Sequence, residues 1–117
     1  MKKKNIVILG STGSIGKTLI KILEKDKNNF KISLLSANKN YKELLSQAKR
    51  FQVKNVIVTD KNIFLKIKKD LKNNNIKIFN DFTCFDKVFK NKKIDYTMSA
   101  ISGLSGLKPT LNIIKFT

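Results

Sequence analysis

The chain has no histidine, no tryptophan, a single cysteine and a single proline among its 117 residues. One cysteine excludes an internal disulfide and is typical of a reducing compartment. Because the chain offers Cys84 no partner base, we interpret it as a small packed hydrophobic residue and not as a nucleophile. The eight acidic residues form no cluster with metal-ligand spacing. The sequence therefore provides no candidate catalytic residue and no candidate metal ligand.

Long apolar runs are also missing from this chain. Nothing approaches the stretch of about 18 apolar residues that a membrane span needs. The first four residues, MKKK, resemble the start of a signal peptide, but the apolar stretch at 6–9 is too short and runs into glycine. We therefore expect no targeting segment, no membrane partner and a cytoplasmic protein. The length, with 41% apolar and 28% charged residues, fits one soluble globular domain over residues 1–117.

Acidic residues are scarce relative to basic ones, which leaves a formal net charge of +17. Such a charge raises the possibility of a nucleic-acid binder. However, Arg50 is the only arginine among 25 basic residues, whereas base reading favours the arginine fork. The lysines are spread along the chain among many Asn and Ile, which is typical of solvated faces. Nucleic-acid binding stays as an alternative that predicts a steep salt dependence and no dependence on Gly13.

Apolar runs of strand length alternate with segments of helical periodicity. The runs predict strands at residues 5–9, 31–36, 55–59, 76–79 and 94–101. The other segments predict helices at residues 14–24, 41–51, 61–71, 84–89 and 103–114, the fourth weak and the last containing Pro109. This alternation indicates a Rossmann-like α/β fold, a doubly wound parallel sheet of about five strands in three αβα layers. Right-handed crossovers place the first strand centrally.

A glycine-rich turn separates the first strand from the first helix. The nucleoside triphosphate motif requires four residues between its first glycine and its Gly-Lys pair. Here five residues separate Gly10 from Gly16, which precedes Lys17. The extra residue changes which backbone N–H groups converge, so Lys17 is not placed to reach a terminal phosphate. The spacing excludes a P-loop.

The same turn fits a dinucleotide better. Its spacing is Gly10-x-x-Gly13-x-x-Gly16, with Thr12 where the usual fingerprint has its second glycine. Gly10 can make the tight turn, Gly13 can let the backbone approach a pyrophosphate, and Gly16 can let the helix lie close to the sheet. Thr12 and Ser14 add hydroxyl donors, and the helix start adds partial positive charge. The alternative is an ordinary strand–helix turn that uses glycine for shape.

The tip of the second strand indicates which dinucleotide is bound. NAD-binding domains normally carry Asp or Glu there, on the ribose hydroxyls. Residues 36–40 contain no carboxylate but do contain Asn38, Lys39 and Asn40. Lys39 is suited to a 2′-phosphate, and such a charge-assisted contact discriminates by about tenfold to a hundredfold. The segment predicts NADPH; the alternative is that Lys39 is one more solvated lysine.

Three segments together resemble one enzyme family. They are ILGSTGSIG at 8–16, ANKN at 37–40 and AISGLSGLKPTL at 100–111. In order and spacing they are similar to the N-terminal NADPH-binding domain of the 1-deoxy-D-xylulose 5-phosphate reductoisomerase family, and the resemblance covers essentially the whole chain. The first segment alone is shared with other reductases, whereas the three together are specific.

The resemblance implies an activity and its requirements. The family rearranges and reduces 1-deoxy-D-xylulose 5-phosphate to 2-C-methyl-D-erythritol 4-phosphate with NADPH. The reaction serves the non-mevalonate route to isoprenoid precursors and needs Mg²⁺ or Mn²⁺. Family members continue past the position of Thr117 into an Ala-Asn-Lys-Glu motif and a catalytic domain with the metal carboxylates, and they are typically homodimers through these later domains. The resemblance therefore implies a truncated cofactor domain that has no turnover alone.

The resemblance also implies a role for individual residues. A first group, at the pyrophosphate, consists of Thr12, Gly13, Ser14 and Ile15. A second group, at the phosphate on the adenosine ribose, consists of Asn38, Lys39 and Asn40. Ala100, with the residues up to Gly103, borders the nicotinamide. Asn38 departs from the glycine that is usual in the family at that position.

One further alternative has a similar first turn. An atypical short-chain-type NADPH reductase or sensor domain also needs a basic residue at the tip of the second strand. It does not need the segment AISGLSGL at 100–107, which favours the reductoisomerase family.

Overall fold

The computed structural model describes residues 3–70, 75–84, 88–89 and 94–99. Its strands are β1 Lys4–Leu9, β2 Phe30–Ala37, β3 Asn55–Val58, β4 Lys77–Phe79 and β5 Tyr96–Ser99. Its α-helices are α1 Ser14–Glu24, α2 Tyr41–Phe51 and α3 Lys61–Asp70. Within this part of the chain no helix is long and apolar enough to cross a membrane. Each predicted strand and the first three predicted helices lie where the sequence pattern placed them.

The strands form a single parallel sheet in the order β4-β3-β2-β1-β5. The first strand pairs on both sides, with β2 and with β5, so it lies inside the sheet, although β2 and not β1 is the middle strand of the five described. Its residues 6–9 are fully buried. A strand covered on both faces reads as a continuous apolar run, which is why the sequence predicted it so directly.

Two buried clusters lie on opposite faces of the sheet. On one face Ile6 and Ile8 of β1 share a cluster with residues of α1, α2 and α3. On the other face Val7 and Leu9 share a cluster with Cys84 and other residues that follow β4. Each connection from β1 to β4 leads to the adjacent strand on the same side of the sheet. Right-handed crossovers therefore put the three helices on one face. The return from β4 to β5 reverses direction, and Cys84, Phe89 and Ile94 of its connection lie on the other face.

The weak helix predicted at 84–89 falls partly outside the described residues, and Val88 within it is helical. A 3₁₀ turn at Phe82–Cys84 precedes it, and the carboxylate of Asp81 accepts a hydrogen bond of 3.1 Å from the Thr83 N–H in that turn. The segment 85–87, the end of the predicted fifth strand at 100–101 and the helix predicted at 103–114 lie outside the described residues. Cys84 is buried in the second cluster, as expected for a packed hydrophobic residue.

Leu35 provides a test of this core. It is fully buried between Ile8 and Val56 on the two neighbouring strands, whereas Leu65 on α3 is 54% exposed. Replacement of Leu35 by Ala leaves a cavity in the sheet layer and should lower the free energy of unfolding by about 2–4 kcal/mol. The matched Leu65→Ala change should lower it by about 0.5 kcal/mol or less. Urea denaturation followed by circular dichroism measures both, and equal losses would contradict this assignment of the core.

Candidate functional site

The site predicted from the sequence lies at the carboxyl edge of the sheet. Gly10 follows β1, Asn38 follows β2 and Asp60 follows β3, so the segments after three parallel strands meet at one edge. The chain adds β2, β3 and β4 on one side of β1 and then adds β5 on the other side, so the strand order reverses at β1. Open α/β sheets bind ligands in the crevice at such a switch point. Ala100, predicted to border the nicotinamide, lies outside the described residues; its neighbour Ser99 pairs with Leu9 at the end of β1.

Gly10 turns the chain out of the sheet. Its φ of 76° lies in the left-handed region, which glycine adopts without steric cost. Its N–H donates to Oγ of Ser36 at 2.9 Å, and the Ser11 N–H donates to the Ser36 carbonyl oxygen at 2.9 Å. The turn after β1 is therefore fixed to the end of β2, as the tight-turn role of Gly10 requires.

Gly16 allows a closer approach than the sequence indicated. A Cβ at this position would overlap the carbonyl oxygen of Gly10 and lie 2.6 Å from the backbone of Ser11. The prediction was that this glycine lets the helix lie near the sheet. The structure shows which part of the protein the helix approaches: the first turn of α1 contacts the backbone of Gly10 and Ser11 in the β1–α1 turn.

Gly13 and the start of α1 form the predicted phosphate-binding surface. Gly13 is the N-cap residue, in an extended conformation, and a Cβ there would meet only the Gly10 oxygen, at 3.9 Å. The first hydrogen bond of the helix runs from the Lys17 N–H to the Gly13 oxygen at 2.8 Å. The N–H groups of Ser14 and Ile15 therefore precede the hydrogen-bonded ladder. No side chain caps this end, and its first turn holds no acidic residue.

The other two helices starting at this edge are capped. Asn40 accepts a hydrogen bond from the Glu43 N–H at 3.4 Å at the start of α2. Asp60 accepts one from the Ile63 N–H at 3.0 Å at the start of α3. Side-chain caps of this kind satisfy donors that an anion would otherwise engage. Among the described helices, α1 is thus the one whose start is left open to a ligand.

The tip of β2 is built together with the tip of β3. The Thr59 hydroxyl donates to Oδ1 of Asn38 at 2.9 Å, and the Asp60 N–H donates to the Asn38 carbonyl oxygen at 3.1 Å. Lys39 is 73% exposed, and its Nζ lies 3.9 Å from Oδ2 of Asp60. The sequence placed no carboxylate in residues 36–40, and the structure brings one to this tip from β3. Sequence analysis missed Asp60 because only the strand order makes it a neighbour of Lys39.

Two buried polar residues, Ser36 and Gln47, were also missed. Ser36 supports the turn from β2, and Gln47 supports it from α2, with its Nε2 donating to the Ser11 carbonyl oxygen at 3.0 Å. The available signal was a glutamine on the apolar face of α2, beside Leu44 and Ala48. Within the described ranges, no three His, Cys, Asp or Glu side chains are grouped so that they could hold a metal ion.

Known proteins resemble the chain over almost its whole length. A family model described as 1-deoxy-D-xylulose 5-phosphate reductoisomerase matches residues 6–117. The reductoisomerase of Pelagibacter ubique is 62% identical over 97% of this chain, and that of Clostridium tetani 37% over 96%. A solved structure of the Zymomonas mobilis enzyme in complex with NADPH is 29% identical over 97% of this chain, with a TM-score of 0.84. The chain spans about 30% of the length of each of these three proteins.

The two glycines near the start of α1 should respond differently to alanine. Gly16→Ala forces a Cβ into the backbone of residues 10–11 and should cost about 2 kcal/mol or more of unfolding free energy, despite the better helix propensity of alanine. Gly13→Ala meets no obstacle and should change stability by less than about 1 kcal/mol. Thermal and urea denaturation of both variants provide the comparison. A Gly16→Ala protein as stable as wild type would show that the turn is not held against the helix.

Proposed function

This chain belongs to the 1-deoxy-D-xylulose 5-phosphate reductoisomerase family, and we propose that residues 1–117 form the NADPH-binding domain of such an enzyme. The observation that carries the proposal is the open start of α1 at the carboxyl edge of the sheet, with Gly13 in front of it. A diphosphate is the anionic part of NADPH, and an uncapped helix start supplies both N–H donors and partial positive charge.

The pyrophosphate is assigned to the β1–α1 turn. The backbone N–H groups of Thr12 and Gly13 and the first N–H groups of α1, on Ser14 and Ile15, have no hydrogen-bond partner among the described residues. The absence of a side chain at Gly13 leaves room for close approach of the diphosphate. Half-buried Thr12 and exposed Ser14 add hydroxyl donors beside these N–H groups.

The 2′-phosphate is assigned to Asn38, Lys39 and Asn40. Lys39 supplies the positive charge, and its separation of 3.9 Å from Asp60 leaves its exposed ammonium available to an additional anion. The side-chain oxygens of Asn38 and Asn40 accept hydrogen bonds from within the protein, so their NH₂ groups are the donors that face outward in this role. Asp60 keeps the ammonium near the tip of β2.

The reaction of the whole protein follows from the family. We propose that it converts 1-deoxy-D-xylulose 5-phosphate to 2-C-methyl-D-erythritol 4-phosphate in non-mevalonate isoprenoid synthesis. NADPH supplies the hydride for the reduction, and the residues of this chain bind and orient it. Mg²⁺ or Mn²⁺, the sugar phosphate and the dimer contacts are assigned to parts of the family fold beyond these 117 residues, so we expect no turnover from this chain alone. We assign it to the cytoplasm, without a nucleic-acid or membrane partner.

Gly13→Val is the direct test of the pyrophosphate assignment. A branched side chain at the position of closest approach should weaken NADPH binding at least about tenfold, because it removes charge-assisted hydrogen bonds from backbone donors. The matched control is Asn28→Val, on an exposed turn before β2 at the opposite edge of the sheet, and it should bind as wild type does. Isothermal titration calorimetry measures all three proteins. An unchanged affinity in Gly13→Val, or no binding by wild type, would overturn the proposal.

Lys39→Ala tests the selectivity for NADPH over NADH. Loss of the ammonium should weaken the binding of NADPH about tenfold and leave the binding of NADH unchanged. Tenfold is the lower end of the range for a charge-assisted contact, which we expect because Lys39 is largely exposed. Lys49→Ala removes the same charge from the distant end of α2 and controls for the general effect of net charge. Titrations at two salt concentrations separate the local contact from the overall field. Equal losses for the two dinucleotides would refute the role of Lys39.

A further inference from the structure

Gln47 is an unusual side chain for the middle of a helix that packs on the sheet. It is fully buried, and it lies on the face of α2 that also buries Leu44 and Ala48. Within the described residues the buried polar side chains are Ser11, Ser36 and Gln47, and all three meet at the turn after β1. Buried polar groups are thus concentrated at the proposed cofactor site.

The orientation of the Gln47 amide is fixed by its partners. Nε2 donates to the Ser11 carbonyl oxygen at 3.0 Å and to Oε1 of Glu43 at 3.2 Å. Both partners accept hydrogen bonds only, so a flipped amide would set three oxygens against each other. Glu43 is itself held by Arg50, whose Nη2 lies 3.6 Å away. A chain of polar contacts therefore runs from Arg50 through Glu43 and Gln47 to the turn.

This arrangement is costly for the fold. Oε1 of Gln47 is buried and has no hydrogen-bond partner within the described part of the chain. An unpaired buried oxygen carries a desolvation penalty that a leucine of similar size would not have. Packing alone would therefore be served as well by an apolar residue on this face of α2. The amide contributes something that the apolar residue lacks, namely a donor aimed at the Ser11 carbonyl.

That donor completes the support of the turn. Ser36 holds the Gly10 and Ser11 N–H groups from β2, and Gly16 lets α1 rest on the same two residues. Gln47 holds the remaining backbone polar group of Ser11 from α2, namely its carbonyl oxygen, which belongs to the Ser11–Thr12 peptide. Fixing this peptide plane determines the direction in which the chain enters Thr12 and Gly13.

We propose that Gln47 is a positioning residue for the dinucleotide: it orients the Ser11 carbonyl so that the N–H groups after it converge on the diphosphate. The inference rests on the proposed NADPH binding. Gln47 has no contact with the cofactor in this role and acts through the backbone of the β1–α1 turn. Preorganised donors bind an anion without the entropic cost of ordering a mobile loop.

Gln47→Leu separates this role from a structural one. The variant removes the donor and the unpaired oxygen together, so its melting temperature should stay within about 4 °C of wild type. Its affinity for NADPH should nevertheless fall roughly threefold to tenfold, the range for one lost hydrogen bond. The control is Asn55→Val, which removes a similar contact from Asn55 Nδ2 to the Ser33 carbonyl oxygen at the opposite edge of the sheet and should bind NADPH as wild type does.

Gln47→Glu gives a signature that a packing role would not. A carboxylate at this position would face the Ser11 oxygen and Glu43, and burial plus the neighbouring negative charge would raise its pKa. Only the protonated form donates to Ser11. The ratio of variant to wild-type Kd for NADP⁺, which is stable in acid, should therefore be large at pH 8 and fall toward one near pH 5.5. The pH dependence common to both proteins cancels in this ratio.

The outcomes distinguish this inference from the proposed function. Wild-type affinity in Gln47→Leu, or a pH-independent ratio in Gln47→Glu, overturns the positioning role while Gly13→Val still tests the site. An unfolded Gln47→Leu protein also overturns it, because the amide would then serve the fold. Absence of NADPH binding by wild type overturns both. A loss confined to the Gln47 variants, with a normal Asn55→Val protein, supports the assignment.

Discussion

Two hydrogen bonds from the turn after β1 to Ser36 on β2 determine where the chain leaves the sheet. They fix Gly10 and Ser11 to the neighbouring strand, and α1 can then rest on the same two residues only because Gly16 has no Cβ. The start of α1 is a consequence of this anchoring. A helix end whose N–H groups are held in place, and which no side chain caps, binds an anion with little loss of conformational freedom.

The strand order extends this local arrangement into a site. The strands from β1 to β4 are parallel and lie side by side in chain order. The segments that follow their carboxyl ends therefore line a single edge of the sheet. The glycine turn, Asn38 and Asp60 follow three strands that are adjacent only in the folded sheet. The order of the strands reverses direction at β1, so the switch point of the sheet lies beside the glycine turn. The geometry of the candidate site thus depends on topology as much as on the glycine motif.

Charge is distributed unevenly over these two parts of the site. The first turn of α1 contains no acidic residue, and the positive potential at the start of this helix comes from its backbone dipoles. The tip of β2 instead pairs the exposed ammonium of Lys39 with the partly buried carboxylate of Asp60. Solvent screens an exposed pair at this distance, so Asp60 moderates the positive charge without neutralising it. The net charge of +17 acts as a background to both parts and specifies neither.

The amino-acid sequence by itself determined the alternation of strands and helices, the bounds of α1 and α2, and the position of the glycine turn between β1 and α1. Each of these depends on neighbouring residues: apolar runs make buried strands, and glycine spacing makes the turn. Tertiary structure decided the rest. Asp60 meets Lys39, and Gln47 meets Ser11, across 21 and 36 residues of chain. No periodicity or motif encodes such contacts, because they exist only once right-handed crossovers have placed β1, β2 and β3 side by side and α2 has packed on β2 and β3.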